Sequence, residues 1–113
     1  MTSSRRDRRY LAYVRESIGL IENYTRGGRD AFLTDTMVQD AVLRRLETLA
    51  EATGQLSDEL KARYPAIPWR AVYGFRNVAA HAYLDVELGD VWDIVTGDLP
   101  RLSDAVEVEL AAG

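Results

Sequence analysis

The chain has 113 residues, enough for one ordinary domain and too few for two, and we expect a single domain over residues 1–113. Its 47% hydrophobic and 28% charged residues are typical of a folded protein rather than a disordered one. The absence of cysteine excludes disulfides, zinc–thiolate sites and thiol catalysis, and the single histidine, His81, excludes metal sites built from two histidines. We therefore predict no metal and no cofactor.

The charge, formally −4, is unevenly distributed. Residues 1–29 carry seven arginines against three acids, whereas residues 85–113 carry eight acids against Arg101 alone. Such asymmetry suits a chain whose basic end meets a polyanion, but the pattern alone favours two oppositely charged helix faces that attract each other. No uncharged stretch approaches the roughly 18 residues that span a bilayer, so we expect a cytoplasmic protein outside the membrane.

The first predicted helix runs from about Asp7 to Tyr24 and ends at Gly27-Gly28, because glycine readily takes the left-handed conformation that terminates helices. Its apolar stripe consists of Leu11, Val14, Ile18 and Ile21. A short piece, Arg29 to Phe32, follows. The cluster Thr34-Asp35-Thr36 then offers capping side chains to the next helix.

The second long helix carries the longest apolar stripe of the sequence. Its members are Val38, Val42, Leu46, Leu49, Thr53, Leu56 and Leu60. Gly54 weakens the middle, and Ser57-Asp58 could begin a new segment there. Tyr64-Pro65 ends the helix, since proline disfavours helix in the residue before it. Pro68 then suits the first position of a helix that reaches about Ala82.

A last amphipathic segment, which Pro100 should kink or divide, follows that helix. Its apolar residues are Val91, Ile94, Val95, Leu99, Leu102, Val106 and Leu110. Strand-like alternation is nowhere sustained. The predicted fold class is therefore all-α, a bundle of four or five helices.

Polar residues interrupt the pattern of the helix that begins at Pro68. Its expected stripe is Trp69, Val72, Arg76, Ala79 and Tyr83, and the neighbouring line is Tyr73, Asn77, Ala80 and Leu84. Arg76 thus stands where the pattern favours an apolar side chain, and Asn77 lies close enough to His81 to touch it across one turn. Arg76 and His81 are separated by about 140° and about 7.5 Å, so they cannot stack but can converge on one groove.

Arginine and histidine together suit metal-free cleavage of RNA. A guanidinium matches phosphate oxygens, and an imidazole exchanges protons near neutral pH. His81 would take the proton of a 2′-hydroxyl, and Arg76 would stabilise the charge of the phosphorane that forms. Since the 2′-hydroxyl is the nucleophile, this chemistry excludes DNA.

The alternative is that these side chains have only structural roles, and the residue spacing taken alone favours this alternative. Arg76 could pair with a buried carboxylate, Glu47 or Glu51, on the long helix. His81 could stabilise the end of its own helix. The aromatic residues of the stripe, Trp69 and Tyr83, are more often core than ligand platform.

The segment from Arg76 to Tyr83, RNVAAHAY, has the form R-x4-H-x-Y and resembles the signature of HepT-type toxins in the HEPN superfamily of helical ribonucleases and nucleotide-binding proteins. Flanking segments resemble the same family: YTRG at 24–27, QDAV at 39–42, YPAIPWR at 64–70, VWD at 91–93 and DLP at 98–100. The resemblance covers the chain from about Arg8 to Leu110.

The resemblance implies an all-α homodimer whose active site forms where the motifs of two subunits face each other. It also implies the toxin of a type VII-like toxin–antitoxin system, neutralised by a small nucleotidyltransferase antitoxin. Arg76 and His81 would be the catalytic pair, Asn77 a supporting residue, and Tyr83 the tyrosine that the antitoxin adenylates. Family members often show Asn-Leu-Glu in the long helix where this chain has Arg45-Leu46-Glu47, which puts any role of that asparagine in doubt.

A two-fold axis has independent support, because two copies would bring each Arg76 near both histidines without bending a helix. The leading hypothesis is a metal-independent endoribonuclease. The alternative is a non-catalytic subunit that binds nucleotides or positions substrate for a nucleotidyltransferase, with Arg76 on a phosphate. A helical nucleic-acid-binding regulator is disfavoured by the negative net charge. The basic cluster of Arg5, Arg6, Arg8 and Arg9 is expected to contribute modestly to RNA affinity.

Overall fold

The computed structural model describes residues 3–82 and 84–112. The helices are α1 (Arg5–Tyr24), α2 (Arg29–Thr34), α3 (Thr36–Gly54), α4 (Asp58–Ala62), α5 (Trp69–His81), α6 (Asp85–Asp93) and α7 (Leu99–Ala112), with a π-helical turn (Ile94–Asp98) between α6 and α7. All of the regular structure among these residues is helical, which confirms the predicted all-α bundle. Five of the helices, namely α1, α3, α5, α6 and α7, are longer than the short α2 and α4. In the described part of the chain, no helix is both long and apolar enough to cross a bilayer.

Side-chain caps set where α1 and α3 begin. The Ser4 hydroxyl accepts a hydrogen bond from the Asp7 N–H at 3.0 Å, so α1 starts two residues earlier than predicted. Asp35 caps α3 as expected, accepting from two N–H groups of its first turn. Gly28, at φ 90°, takes the backbone conformation that the turn after α1 requires. The predicted stripe of α1 is entirely buried: Leu11, Val14, Ile18 and Ile21.

The predicted long helix divides after Gly54, where a break was considered possible. Ser57 starts α4, since its hydroxyl accepts from the Leu60 N–H at 3.2 Å. The buried carboxylate of Asp7 accepts from the backbone N–H and the hydroxyl of Ser57, at 2.9 Å and 2.6 Å. This contact ties the break between α3 and α4 to the start of α1.

Helix α5 begins at Trp69, one residue later than predicted. Pro68 is its N-cap, and the Pro68 carbonyl accepts from the Val72 N–H at 3.0 Å. The indole N–H of Trp69 donates to the carbonyls of Lys61 and Tyr64, both at 3.1 Å. Trp69 therefore anchors the connection between α4 and α5, and its partly buried side chain packs against the core, as its structural interpretation predicted.

The buried stripe of α5 differs from the predicted one at its centre. It consists of Val72, Phe75 and Ala79, and Ala82, which directly follows the helix, is also buried. Phe75 is the buried residue at the centre of the stripe, where the sequence predicted Arg76, and Arg76 is exposed. Residues three and four positions after Val72 fit the helical period equally well, so the spacing did not distinguish 75 from 76.

The last segment is divided just before Pro100, as predicted. The Leu99 N–H donates to the Ile94 carbonyl, five residues back, in the π-helical turn. Since Pro100 lacks an N–H and its ring crowds the carbonyl of residue 96, the wider turn accommodates it, and α7 continues directly from that turn. Every apolar residue predicted for this segment is buried or half-buried.

Helix α3 lies between α1 and α5, and α7 packs on another side of α1. The α1–α7 contact brings basic and acidic helices together: Arg15 lies 3.9 Å from Glu107, and Arg8 donates to the Leu110 carbonyl at 3.0 Å. The expected attraction between oppositely charged helix faces is thus seen at one exposed pair, Arg15 and Glu107.

Glu109 is a buried carboxylate on α7 that binds the segment after α4. It accepts hydrogen bonds from the Arg63 guanidinium and, at 2.8 Å, from the Tyr64 hydroxyl. Burial alone would raise the pKa of Glu109, but these hydrogen bonds and the charge of Arg63 together hold it below its usual value. Burial and the hydrogen bond to Glu109 raise the pKa of Tyr64.

We expect the stability difference between the wild type and Glu109→Gln to shrink as the pH falls from about 6 to about 3. A carboxyl with a depressed folded pKa contributes stability that is complete above its unfolded pKa, about 4.3, and is lost as the pH falls through the folded value. Urea denaturation across this range measures the difference. Glu107→Gln, which removes an exposed carboxylate from the same helix, is the control; a constant difference for Glu109→Gln would contradict the prediction.

Candidate active site

Arg76 lies on the exposed part of α5 and reaches toward α3. Its Nη1 donates to Oε2 of Glu51 at 2.9 Å, and its guanidinium lies 4.6 Å from the centre of the Tyr73 ring. The Arg76 and Glu51 side chains are 47% and 51% exposed. The pairing with a carboxylate of the long helix therefore exists, at Glu51, but the carboxylate is exposed rather than buried.

This exposure decides what the Arg76–Glu51 pair can do. Ion pairs open to solvent contribute no more than about 1 kcal/mol, because both groups keep most of their hydration. Glu51 thus orients Arg76 at little energetic cost. A phosphodiester offers the guanidinium two acceptor oxygens and the same single negative charge, so it can take the place of the carboxylate.

Gly54 creates the space in which the Tyr73 ring lies. A Cβ at position 54 would overlap the ring carbons of Tyr73, which in turn supports the Arg76 guanidinium. The sequence indicates Gly54 only as a weak point of the long helix, and this role was not predicted. Nothing in the local spacing indicates it, since Gly54 and Tyr73 belong to different helices.

His81 is the last residue of α5 and is exposed. Its Nδ1 lies 2.9 Å from the backbone carbonyl oxygen of Asn77. A carbonyl oxygen can only accept, so Nδ1 carries the proton, and in the neutral ring the lone pair resides on Nε2. The expected contact of His81 with Asn77 is therefore made by the Asn77 backbone, and it leaves Nε2 able to accept a proton.

The structure does not join Arg76 to His81 within one chain. Arg76 is engaged with α3, whereas His81 is bonded to its own helix, and no hydrogen bond or ion pair in residues 3–82 and 84–112 connects them. The separation of about 140° around the helix accounts for this. Tyr83, the expected modification site, lies outside the described residues.

Two adjoining grooves follow the exposed face of α3. The α3–α5 groove, about 500 Å³, is lined by Arg44, Glu47, Thr48, Glu51, Arg76, Asn77 and Ala80. The α1–α3 groove, about 960 Å³, is lined by Arg5, Arg6, Arg9, Tyr10, Tyr13, Thr48, Glu51, Ala52 and Gln55. Thr48 and Glu51 belong to both grooves. Among residues 3–82 and 84–112, no cluster of three or more His, Asp or Glu side chains could hold a metal ion.

Replacing Gly54 with alanine should displace the Tyr73 ring and lower the free energy of unfolding by about 1–3 kcal/mol, the usual cost of overpacking. Gly19→Ala is the matched control, since open space surrounds that position within α1; it should stabilise the protein by up to about 1 kcal/mol. Urea denaturation measures both variants. Equal effects of the two substitutions would show that Tyr73 does not need the space.

Comparison with known proteins places the chain in a family. A family model described as "Ribonuclease HepT-like" matches residues 14–109. A relative from Thermococcus cleftensis, named "Probable ribonuclease HepT", is 37% identical over 87% of this chain and 90% of its own length. No solved structure gives a significant match.

Two relatives from Methanocaldococcus jannaschii agree with this assignment. One, whose name joins a gamma-glutamylcyclotransferase to a "putative RNase", is 39% identical over 86% of this chain, which spans 44% of that relative's length. The other, named a "putative RNase", is 29% identical over 93% of this chain and 98% of its own length. With the family model matched over most of its residues, the chain belongs to the HepT-like ribonuclease family.

Proposed function

We propose that this protein is a metal-independent endoribonuclease in which Arg76 and His81 are the catalytic pair and Asn77 supports them. The observation that carries the proposal is the state of the two side chains: Arg76 is exposed and bound to an exchangeable carboxylate, and the Nδ1 of His81 is fixed so that Nε2 can accept a proton. The names of the family relatives support the choice of RNA as substrate.

The reaction needs no group beyond these residues and the RNA itself. Nε2 of His81 takes the proton of a 2′-hydroxyl, and the 2′-oxygen attacks the adjacent phosphorus. Arg76 exchanges Glu51 for the phosphate and stabilises the charge that develops on the phosphorane oxygens. The bond to the 5′-oxygen then breaks, and the imidazolium returns the proton to that oxygen. The products are a 2′,3′-cyclic phosphate and a 5′-hydroxyl.

A homodimer is part of the proposal, because one chain does not bring the pair together. The apolar side chains exposed on and beside α5 are suited to contact with a second copy: Tyr73 and Val78 are 36% exposed and Leu84 is 61% exposed. A two-fold axis beside α5 would place the Arg76 of one protomer against the His81 of its partner. Each dimer would then hold two equivalent sites.

The test is cleavage of RNA by the purified protein in EDTA. His81→Ala should lower kcat at least about 100-fold, since a general base contributes that much or more. Arg76→Ala should lower it about 100- to 1,000-fold through loss of charge stabilisation. Arg70→Ala, which removes an exposed arginine from the same helix, is the matched control and should keep wild-type activity. The new RNA ends should be cyclic phosphates and 5′-hydroxyls.

Intact RNA after incubation with the wild type, or an active His81→Ala variant, would refute the nuclease. The same experiment separates the alternative function. A protein that leaves RNA intact yet binds a nucleoside triphosphate, and loses that binding in Arg76→Ala, would be a nucleotide-binding or substrate-positioning subunit of a nucleotidyltransferase.

We further propose that the protein is the toxin of a type VII-like toxin–antitoxin system and that a nucleotidyltransferase antitoxin adenylates Tyr83. The modification makes physical sense, because it would add a bulky negative phosphate two residues after His81, where it would repel the phosphate of RNA. This proposal rests on the R-x4-H-x-Y sequence of residues 76–83.

Tyr83→Phe should retain toxicity but escape neutralisation when the small nucleotidyltransferase is co-expressed. Tyr73→Phe is the matched control, because Tyr73 is an exposed tyrosine of α5 that lies beside Arg76. Growth curves report neutralisation, and mass spectrometry of the Tyr83 peptide reports the adenylate. Complete neutralisation of the wild type without any adenylate on Tyr83 would exclude modification and favour occlusion by the antitoxin.

A further inference from the structure

We propose that the α1–α3 groove binds the single-stranded RNA that leads into the α5 site, with phosphates on its arginines and bases on its tyrosines. The inference rests on the proposed ribonuclease function and assigns its substrate a binding track that the catalytic pair alone does not supply. The observation behind it is that some arginines of α1 face α7, whereas others line the α1–α3 groove.

The basic residues of α1 serve two different surfaces. Arg8 donates to the Leu110 carbonyl and Arg15 approaches Glu107, so both are directed to α7. The arginines that line the α1–α3 groove are Arg5, Arg6 and Arg9. The basic cluster of the sequence is therefore not uniform: Arg8 belongs to the packing of α1 on α7, whereas the other three face α3.

The groove arginines are available to an anion. Arg5 and Arg9, one helical turn apart, are exposed, and neither has an ion-pair partner in residues 3–82 and 84–112. Arg6 donates to the backbone carbonyl and the side-chain oxygen of Gln55, both at 2.7 Å. These bonds fix the Arg6 guanidinium across the groove, between α1 and the end of α3. Two free charges and one fixed charge at this spacing suit successive phosphates.

Aromatic rings lie beside these charges. Tyr10 and Tyr13 line the same groove, and the Arg6 guanidinium lies 5.1 Å from the centre of the Tyr10 ring. Rings interleaved with arginines characterise grooves for single strands, where bases leave their stack and pack on aromatic side chains. A duplex keeps its bases stacked and would use the phosphate contacts alone, so the tyrosines favour a single strand.

Charge complementarity favours a polyanion over an apolar partner as the occupant, and the tyrosines of the groove favour a nucleic-acid strand over an acidic protein. Three arginines against one glutamate, Glu51, line this groove in a chain whose net charge is −4. Glu51 also bonds Arg76 and lines the α3–α5 groove. A strand that lies along Arg5 and Arg9 therefore meets Arg76 next, at the point where a phosphate would displace Glu51.

The test measures binding separately from cleavage. In the full chain carrying His81→Ala, fluorescence anisotropy with a short fluorescein-labelled oligouridine gives the affinity at low and at raised salt. Arg5→Gln with Arg9→Gln should weaken binding at least about tenfold at low salt and lower the salt slope by about 0.7 for each phosphate that the variant no longer neutralises. Tyr13→Leu should weaken binding without changing the slope. Arg15→Gln with Arg26→Gln removes the same charge away from the groove and should change affinity less than about twofold.

With His81 intact, the Arg5/Arg9 variant should raise KM for RNA cleavage and leave kcat unchanged. Equal affinity losses in the Arg5/Arg9 and Arg15/Arg26 variants would overturn the groove assignment. An altered oligomeric state of the Arg5/Arg9 variant in light scattering, with unchanged RNA affinity, would also overturn it and assign the groove to a second copy. The binding assay uses the His81→Ala chain and does not depend on cleavage. Groove-dependent RNA binding in that assay, together with no RNA cleavage by the wild type, would refute the proposed function alone.

Discussion

Helix α3 packs against α1 on one side and against α5 on the other, and the placement of Arg76 and of the groove arginines follows from this. The apolar side chains of α3 are shared between two neighbours, so its remaining face, with Thr48 and Glu51, stays open along its length. A groove forms wherever a neighbouring helix diverges from that face. Glu51 therefore lies between the arginine of α5 and the arginines of α1, and the two grooves adjoin without any loop between them.

The same packing separates charges that the sequence places together. Of the basic side chains of α1 that face α7, Arg15 approaches Glu107 and Arg8 donates to the Leu110 carbonyl. Among those that face α3, Arg6 bonds Gln55, and the groove that they line contains one glutamate, Glu51. A chain of negative net charge thereby gains a local basic surface while its excess acids lie elsewhere, and local potential rather than net charge governs where a polyanion binds.

Much of the fold could be predicted from the sequence because it depends on local rules. Capping by Asp35 and Ser57, the break after Gly54 and the division before Pro100 all follow from neighbouring residues. The site depended on contacts between distant residues and could be predicted only in part. The Phe75 position of the α5 stripe, the fit of Tyr73 over Gly54 and the bond of Arg6 to Gln55 each depend on how two helices pack, which a helical period does not contain.

The exposure of the Arg76–Glu51 ion pair bears on the interpretation in which Arg76 has only a structural role. A pairing with a carboxylate and a catalytic role exclude each other only when the pair is buried, because a buried charge cannot give up its partner without a large penalty. Exposed to solvent, Glu51 holds the guanidinium near α3 and costs little to displace. The ion pair that spacing offered as a rival to catalysis is thus compatible with it, and Glu51 lies between the groove proposed to bind RNA and the arginine proposed to act in its cleavage.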